Sequence, residues 1–278
     1  MENNSYSPDS KDRGKIKRFF VEFWRVFRYF ALFVGMQIWA VIVLAIIAEI
    51  LDAVTGGNSS EFVAGENGAI ICLIMSTIVT SLLLRYFLGN EWKITRFWRY
   101  EKKSYSPLLL CVFLGIVASI TVNAFLASLV TLTEEPVLVY TTGNPAMALI
   151  TYGLIIPVIE ETVVRGTVLK RLKEINFNTR WAIIIQATVF AILHLDSGIQ
   201  IFYSFFLGII LGLAYLWFNS IWLPIAMHIA FNSFSYFFAL FFSTQGKTIS
   251  SGIWALSGLI GVALIVVFMK ILKQRRTE

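Results

Sequence analysis

The stretch LIIPVIEETVVRG, residues 154–166, places two adjacent carboxylates and an arginine inside an otherwise apolar run. An ionised side chain at the centre of a bilayer costs about 2.5 to 3.5 kcal/mol on insertion scales, so it persists mainly where it is paired or used. The interpretation of this stretch therefore depends on whether the run lies in a membrane.

The composition of the chain indicates a membrane protein. Hydrophobic residues make up 57% of the 278 positions and charged residues 14%, and the mean hydropathy is +0.74, which is far from the soluble globular range. Because backbone polar groups in lipid must be satisfied within the protein, apolar runs of about 20 residues predict an all-α bundle. Eight transmembrane helices are predicted, at residues 29–51, 69–89, 107–131, 145–165, 181–195, 199–218, 221–243 and 252–272.

The distribution of Lys and Arg predicts the orientation of these helices. With the N-terminus inside, the cytoplasmic segments carry 19 of these residues, whereas the outer segments carry only Lys247. Short cytoplasmic loops hold the excess of positive charge, so both termini are predicted to be cytoplasmic. Basic residues at the surface also attract anionic lipid headgroups. The net charge of +6 is therefore expected to interact with the lipid bilayer and not with nucleic acid.

The chain is predicted to hold a single transmembrane domain. Residues 1–28 begin polar and run into the basic and aromatic stretch KIKRFFVEFWRVFRYF, which is typical of a helix that lies in the membrane interface before the first span. The transmembrane domain follows at residues 29–278, and its motifs fall in a core at residues 145–243. Cys72 and Cys111 lie inside predicted spans, and two isolated cysteines are expected to be packing residues.

The polar residues inside the predicted spans carry the functional signal. The chain has two histidines, His194 and His228, and both fall in predicted spans. Phe190 precedes the first by four residues and Asn232 follows the second by four, so each pair shares a helix face. A lone intramembrane His is more often a hydrogen-bonded packing residue, and a lone Asn often joins helices. The occurrence of two histidines and an asparagine together on separate spans favours a functional site over separate packing roles.

Helical geometry separates the three charged residues of the opening stretch. Glu161 and Arg165 are four apart and can form an ion pair, which could also be a simple pair at the membrane edge. Glu160 is rotated by about 100° from its neighbour, so it is predicted to face a cavity. A carboxylate and an imidazole can hold and deprotonate a water, while a second imidazole and an amide can stabilise a developing oxyanion. Peptide hydrolysis is therefore within the chemistry of these residues.

Three motifs follow one another in consecutive order along the C-terminal half of the chain. They are EETVVR at residues 160–165, FAILH at 190–194 and HIAFN at 228–232. Written as EExxxR, FxxxH and HxxxN, they are complete, and in them the sequence resembles the CPBP family of CAAX proteases and bacteriocin-processing enzymes, also called the Abi family. The resemblance implies an intramembrane endopeptidase in a bacterial cell membrane.

The resemblance also implies roles for the motif residues. Glu160 is expected to be the catalytic glutamate, working with His194 on the water, and His228 with Asn232 is expected to form the oxyanion site. The supporting motif residues are Glu161, Arg165 and Phe190. No cofactor is expected, although Glu160, His194 and His228 could alternatively form a zinc site with an open fourth position. The sequence lacks the HExxH motif of many zinc proteases, so it does not strongly favour the zinc site.

Counting along the helices separates the predicted partners in depth. At 1.5 Å per residue, Glu160 lies about 7 Å from residue 165, while His194 lies about 20 Å from Arg180. We therefore predict that the fourth helix continues past Gly166 through KRLKE, or that the fifth begins below the membrane. A separation of more than about 10 Å between His194 and Glu160 would count against the site, because general-base partners need hydrogen-bond reach.

Three functions are compatible with these observations. The favoured one is an endopeptidase that cleaves a peptide or a membrane-associated protein whose identity the sequence leaves open, as it does the oligomeric state. The alternative is a non-catalytic bacteriocin-immunity or membrane partner protein of the same fold. A proton-coupled transporter is less favoured, because the chain lacks inverted repeats and paired broken helices. The small-residue series Ser204, Gly208 and Gly212 is interpreted as a helix-packing seam.

Overall fold

The secondary structure of the described residues is helical. The computed structural model describes residues 8–59, 106–133, 145–194, 198–244 and 249–276, with scattered positions from 61 to 86. No β-strand is present within these residues, which confirms the predicted helical bundle. Six of the helices are α1 (Pro8–Thr55), α2 (Ser106–Thr133), α4 (Thr179–Ile192), α5 (Gln200–Phe218), α6 (Trp222–Thr244) and α7 (Ser251–Gln274).

The third helix, α3, runs without a gap over residues 145–174 and changes its hydrogen-bonding pattern along the way. Two of its segments are π-helical, a rare geometry that is frequent at functional sites. The Glu160 and Glu161 pair lies in the α-helical segment between them. The five segments are α-helical Pro145–Ala148, π-helical Leu149–Ile155, α-helical Ile156–Val163, π-helical Val164–Leu169 and α-helical Lys170–Glu174.

The continuation of α3 removes the predicted difference in depth. The helix extends past Gly166 through KRLKE to Glu174, which is the first of the two predicted explanations. Glu160 then lies 14 residues, or about 21 Å, from the end of α3, and His194 lies 15 residues, or about 22 Å, from the start of α4 at Thr179. The two side chains are therefore at similar heights.

The short connection between α3 and α4 fixes this alignment. Asn176 has a left-handed φ of 54°, and the N–H of Phe177 donates to the carbonyl of Leu172 at 3.0 Å, which ends α3 in a Schellman arrangement. The side-chain oxygen of Asn178 then accepts from the N–H of Arg180 at 3.0 Å and caps the start of α4. The end of α3 and the N-cap of α4 are thus separated by only a few residues, and the two helices form a tight antiparallel hairpin.

Five of the described helices are long and apolar enough to cross a membrane. They contain the ranges Val34–Thr55, Ser106–Thr131, Gln200–Phe218, Trp222–Phe242 and Ser251–Gln274. Helix α4 is apolar but shorter, with 14 residues, and it ends at Ile192, three residues before the predicted end of its span. The predicted span at 69–89 lies mostly outside the described residues. The count of eight spans stays a prediction.

Helix α1 joins the predicted interfacial stretch to the first predicted span without a break. One α-helix covers both the interfacial stretch and the first span, from Pro8 to Thr55. It ends where Gly56 adopts a left-handed φ of 66° and donates its N–H to the carbonyl of Asp52 at 2.8 Å. The side chains of Phe20 and Trp24 are exposed, as expected for a basic and aromatic helix beside lipid headgroups.

Close helix packing holds the bundle around the motif-bearing helices. Helix α2 packs along both α6 and α7. A Cβ atom at Gly115 would collide with the backbone carbonyl of Met227 on α6, so only glycine allows this approach. On the other side of the bundle, α5 packs on α4 through Gly208, where a Cβ would lie 3.0 Å from the Cα of Ala187. The predicted small-residue seam is therefore a packing surface.

Candidate active site

Three predicted site residues meet from α3, from α6 and from the turn that follows α4. The Nε2 atom of His194 lies 3.7 Å from Oε1 of Glu160, and the Nε2 atom of His228 lies 3.6 Å from Oε2 of the same carboxylate. The side chains of Glu160 and His194 are each 14% exposed, and that of His228 is 2% exposed. The carboxylate therefore sits between two imidazoles in a nearly buried setting, far closer to His194 than the 10 Å limit.

His194 lies in the turn that follows the end of α4. Its Nδ1 atom is 2.9 Å from the carbonyl oxygen of Phe190. Because a carbonyl only accepts, Nδ1 must carry the proton, and the neutral ring then has its lone pair on Nε2. The lone pair is directed at the side of the site where Glu160 lies, so His194 is oriented to accept a proton there.

His228 is oriented by the other glutamate of the motif. Its Nδ1 atom lies 3.0 Å from Oε1 of Glu161, and Nη1 of Arg165 lies 2.6 Å from the same oxygen. The Glu161 and Arg165 pair predicted from their spacing is thus present, with both side chains fully buried. Because the paired carboxylate accepts, His228 donates from Nδ1, and its Nε2 donates only when the ring is doubly protonated.

The ring of Phe190 contacts three side chains of the site, those of His194, His228 and Arg165. Its ring makes edge contacts with His194, at a centroid distance of 5.0 Å, and with His228, at 5.4 Å. The guanidinium carbon of Arg165 lies 4.7 Å from the ring centroid on its face. Edge contacts of aromatic rings and cation–π contacts are both favourable. The motif phenylalanine therefore holds the two imidazoles and the arginine in a fixed arrangement.

Gln186 is a buried polar residue at the site that motif spacing does not indicate. Its Nε2 atom donates to the carbonyl of Gly208 at 2.8 Å, and Nη2 of Arg165 donates to the same oxygen at 3.0 Å. The side chain of Gln186 is fully buried. A glutamine inside an apolar span was the available signal, because such polar groups in lipid are usually bonded. Gly208 thus links the packing seam to the site.

Asn232 lies beside the site and donates a hydrogen bond to the backbone of α3. The Nδ2 atom donates to the carbonyl of Tyr152 on α3 at 2.9 Å. Asn232 is one helical turn beyond His228 on α6, so the two residues share a face as their spacing predicted. One of its two amide hydrogens is used by α3, and the other is available for a further acceptor.

Several buried polar atoms at the site have no hydrogen-bond partner among the described residues. They include Oε2 of Glu160, Oε2 of Glu161 and Nε of Arg165. More than nine in ten buried polar groups in proteins are hydrogen-bonded to protein or water, so exceptions call for a physical reason. For Glu160, which lies between two imidazoles, a water or a substrate atom would supply the partner.

The described residues do not form a metal-binding set. Among them, no group of three His, Cys, Asp or Glu side chains is arranged to hold a metal ion. Glu160, His194 and His228 are ligand types that zinc uses, but they do not have that arrangement here. In the zinc alternative, the ligands would be the Glu160 carboxylate and the imidazoles of His194 and His228.

The fold and the site describe a helical membrane protein in which a nearly buried glutamate lies between two histidines. Residues 142–234 match the family described as Rce1-like, type II CAAX prenyl endopeptidase. This segment contains all three motifs, and its match agrees with the CAAX protease family that they resemble. Helices α1, α2 and α7 lie outside the matched segment. Comparisons with curated proteins and with solved structures gave no match.

Proposed function

We propose that this protein is an intramembrane endopeptidase that hydrolyses a peptide bond, with a water activated by Glu160 and His194. The observation that carries the proposal is the position of the Glu160 carboxylate, 3.7 and 3.6 Å from the Nε2 atoms of His194 and His228. The family that residues 142–234 match is described as a type II CAAX prenyl endopeptidase. The substrate is proposed to be a peptide or a membrane-associated protein.

The geometry around Glu160 suits water activation. A water about 2.8 Å from both Glu160 Oε1 and His194 Nε2 fits across their separation of 3.7 Å. The carboxylate orients the water, and the lone pair on Nε2 of His194 accepts its proton as the oxygen attacks the substrate carbonyl. Because Phe190 fixes Nδ1 of His194 through its carbonyl, the accepting nitrogen faces the water.

The remaining groups supply charge stabilisation and the returning proton. His228, held through Nδ1 by Glu161, donates from Nε2 to the developing oxyanion when its ring is doubly protonated. The free amide hydrogen of Asn232 is the second proposed donor, and such donors are strongest where water is excluded. As the C–N bond breaks, protonated His194 returns its proton to the leaving nitrogen. One water is consumed, and a carboxyl and an amine are formed.

The proposed setting follows the charge pattern. Both termini are proposed to lie on the cytoplasmic side, which would orient the basic ends of α3 and α7 toward anionic headgroups. The bacterial cell membrane is proposed from the family resemblance alone. The family description names a prenyl endopeptidase. The substrate panel should therefore contain a prenylated CAAX peptide, its unprenylated form and a bacteriocin precursor, since the chemistry of the site does not select among them.

The proposal is tested by reconstituting the protein in lipid and measuring cleavage of this panel. We expect Glu160→Gln and His194→Ala to lower the cleavage rate by about 10²- to 10⁴-fold, the usual contribution of acid–base catalysis. Glu174→Gln is the matched control, because Glu174 is on the same helix but pairs with Arg171 at an exposed position. Equal cleavage by all variants would overturn the assignment.

Two further arms separate the alternatives. Loss of activity with a chelator and recovery with Zn²⁺ would favour the zinc alternative over the metal-independent site. A folded wild-type protein that cleaves no peptide, yet protects cells against a bacteriocin equally well with Glu160→Gln, would favour the non-catalytic immunity function.

A further inference from the structure

The carbonyl of Gly208 is a point where hydrogen bonds join three helices. It lies on α5 and accepts from Nη2 of Arg165 on α3 at 3.0 Å and from Nε2 of Gln186 on α4 at 2.8 Å. All three residues are buried. Helix association in lipid depends on such hydrogen bonds and on close packing, because apolar surface supplies no driving force between helices there. This three-helix junction of Arg165, Gln186 and Gly208 therefore fixes α3, α4 and α5 relative to one another.

The amide of Gln186 has one orientation that fits its surroundings. Its Nε2 atom also donates to the carbonyl of Ile183 at 3.0 Å, so both of its N–H groups are directed at backbone carbonyls. Because a carbonyl only accepts, an amide oxygen in the place of Nε2 would face two acceptors. The position therefore requires the hydrogen-bond donor of glutamine and not only the volume of its side chain.

Gly212, one turn after Gly208 on α5, provides the space for this amide. A Cβ atom at Gly212 would collide with Nε2 of Gln186 and would lie 3.0 Å from its Cδ atom. Gly208 lets the backbone of α4 approach, since a Cβ there would lie 3.0 Å from the Cα of Ala187. The two glycines therefore admit α4 and its amide to the carbonyl, in addition to packing the helices.

On α3, the three-helix junction holds the charged pair that orients His228. The guanidinium of Arg165 donates to Gly208 with Nη2 and to Glu161 with Nη1, at 3.0 and 2.6 Å. Oε1 of Glu161 also lies 3.0 Å from Nδ1 of His228. Because the planar guanidinium holds its donors in fixed directions, a displaced Gly208 carbonyl also displaces the Glu161 carboxylate and the imidazole bonded to it.

On α4, the three-helix junction holds the segment that leads to His194. Phe190 follows Gln186 by four residues, so the two share a helix face. The carbonyl of Phe190 lies 2.9 Å from Nδ1 of His194, and Nε2 of that ring lies 3.7 Å from Oε1 of Glu160. A shift of α4 along α5 therefore changes the distance between His194 and Glu160.

We propose that Gln186 is a positioning residue for the proposed hydrolysis. Its amide fixes α4 to the carbonyl that also holds Arg165, and so it sets the distance between Glu160 and His194. Gln186 is fully buried, and it acts through His194 rather than on the substrate. The kinetic effect rests on the proposed function, whereas the contact of the amide with α5 can be measured without a substrate.

Gln186→Met tests the kinetic effect, because methionine keeps the length of the side chain and removes the donor. We expect kcat to fall by about 10- to 100-fold, since a misplacement of about 1 Å can lower a rate by about 10²-fold. KM should stay within about twofold, because the lost alignment acts on the transition state and not on substrate binding. An unchanged kcat, or a raised KM at wild-type kcat, would overturn the positioning role.

The matched control is Thr188→Val on the same helix. The hydroxyl of Thr188 donates within α4 to the carbonyl of Ile184 at 3.0 Å, at an exposed position. Its removal costs α4 a hydrogen bond but leaves the three-helix junction intact, so kcat and KM should stay at their wild-type values. An equal fall of kcat in Thr188→Val and Gln186→Met would show a general effect on α4 and would contradict the role of the amide.

A pair of substitutions tests the contact between Gln186 and Gly212 without a substrate. Gly212→Ala should lower the thermal unfolding midpoint in detergent, because the new Cβ collides with the amide. In the Gln186→Ala background, where that amide is absent, the same substitution should lower the midpoint by less than half as much. Equal losses in both backgrounds would overturn the contact. If Gly212→Ala does not fold alone, recovery of folded protein on adding Gln186→Ala supports the contact, and failure to recover it overturns the contact.

The outcomes for Gln186 and for the proposed function are distinguishable. If wild-type protein cleaves no peptide, the proposed function fails and the kinetic role fails with it, while the unfolding measurements still decide whether the amide joins α4 to α5. If the wild type cleaves and Glu160→Gln does not, the proposed function holds, and Gln186→Met decides the positioning role. If Gln186→Met does not fold, Gln186→Asn, whose amide is one methylene short of the carbonyl, should show the same loss of kcat, and a wild-type kcat there would overturn the role.

Discussion

Helix α6 makes polar contacts with two neighbours, and the two contact regions differ in how completely their polar atoms are satisfied. Toward α2, Ser235 and Ser119 share a hydrogen bond of 2.9 Å, and Nδ2 of Asn123 donates to Oγ of Ser235 at 3.0 Å. These groups are neutral. Toward α3, His228 meets two glutamates, and buried oxygens of both lack a hydrogen-bond partner among the described residues.

The difference in how completely the polar atoms are hydrogen-bonded distinguishes a packing contact from the proposed site. Neutral hydrogen bonds between membrane helices contribute about 0.6 kcal/mol on average and hold helices together. Buried charges cost more than they return unless each is paired and bonded, so the incompletely satisfied carboxylates toward α3 are poor packing devices. A purely structural role thus fits the polar residues on the α2 side of α6, whereas the carboxylates on the α3 side fit the proposed function.

The largest effect is expected when the comparison is broken at Glu160. Glu160→Gln should abolish most cleavage while leaving the unfolding midpoint unchanged or raised, since it removes a buried carboxylate whose Oε2 lacks a hydrogen bond among the described residues. Cleavage rates and thermal unfolding in the same detergent measure both effects. A protein that loses stability in proportion to its activity would instead place Glu160 among the packing residues.

Substitution of Arg165 should lower stability strongly, unlike Glu160→Gln. Arg165→Met leaves the fully buried carboxylate of Glu161 without its partner, and removal of one member of a buried pair typically costs about 3 to 5 kcal/mol. Adding Glu161→Gln should recover part of this loss, because it removes the stranded charge. The two variants are compared by chemical unfolding, and a double variant less stable than Arg165→Met would contradict the buried pair.

An intermediate loss of stability is expected for Gly208→Ala, which changes a residue shared by the packing seam and the site. Gly208→Ala places a Cβ 3.0 Å from the Cα of Ala187, and overpacking of this kind costs typically about 1 to 3 kcal/mol. Because the Gly208 carbonyl accepts from Arg165, activity should fall together with stability. Gly252→Ala on α7 is the control, since a Cβ there meets nothing within 4 Å.

The smallest effect is expected on the α2 side of α6. Ser235→Ala should lower stability by about 0.6 kcal/mol, the average for such bonds, and leave kcat and KM at wild-type values. Measuring both properties sharpens the comparison, because the matched loss of a hydrogen bond on the same helix then has no catalytic consequence. A large loss of kcat with Ser235→Ala would show that the two regions are coupled.

Much of the bundle could be predicted because long apolar runs specify helices in lipid. The predicted spans at 107–131, 199–218 and 221–243 differ by at most two residues from α2, α5 and α6 at their ends. The end of α3 was placed too early, at residue 165, because hydropathy falls at KRLKE while Lys, Arg, Leu and Glu remain good helix formers.

The meeting of Glu160, His194 and His228 was predicted from the motifs, but most of their supporting contacts were not. Motif spacing shows which residues share a face of one helix. It does not give the rotation of one helix against another, which creates the contact of His228 with Glu161. It also does not place Asn232 beside the carbonyl of Tyr152, and so this hydrogen bond was not foreseen.

The measurement that tests the central claim most directly is cleavage in water enriched in the heavy oxygen isotope, followed by mass spectrometry of the products. Hydrolysis by a water held at Glu160 and His194 predicts one heavy oxygen in each new carboxyl terminus from the wild-type protein. It also predicts no labelled product from Glu160→Gln over the same time. Product without the label, or equal labelled product from both proteins, would contradict the account.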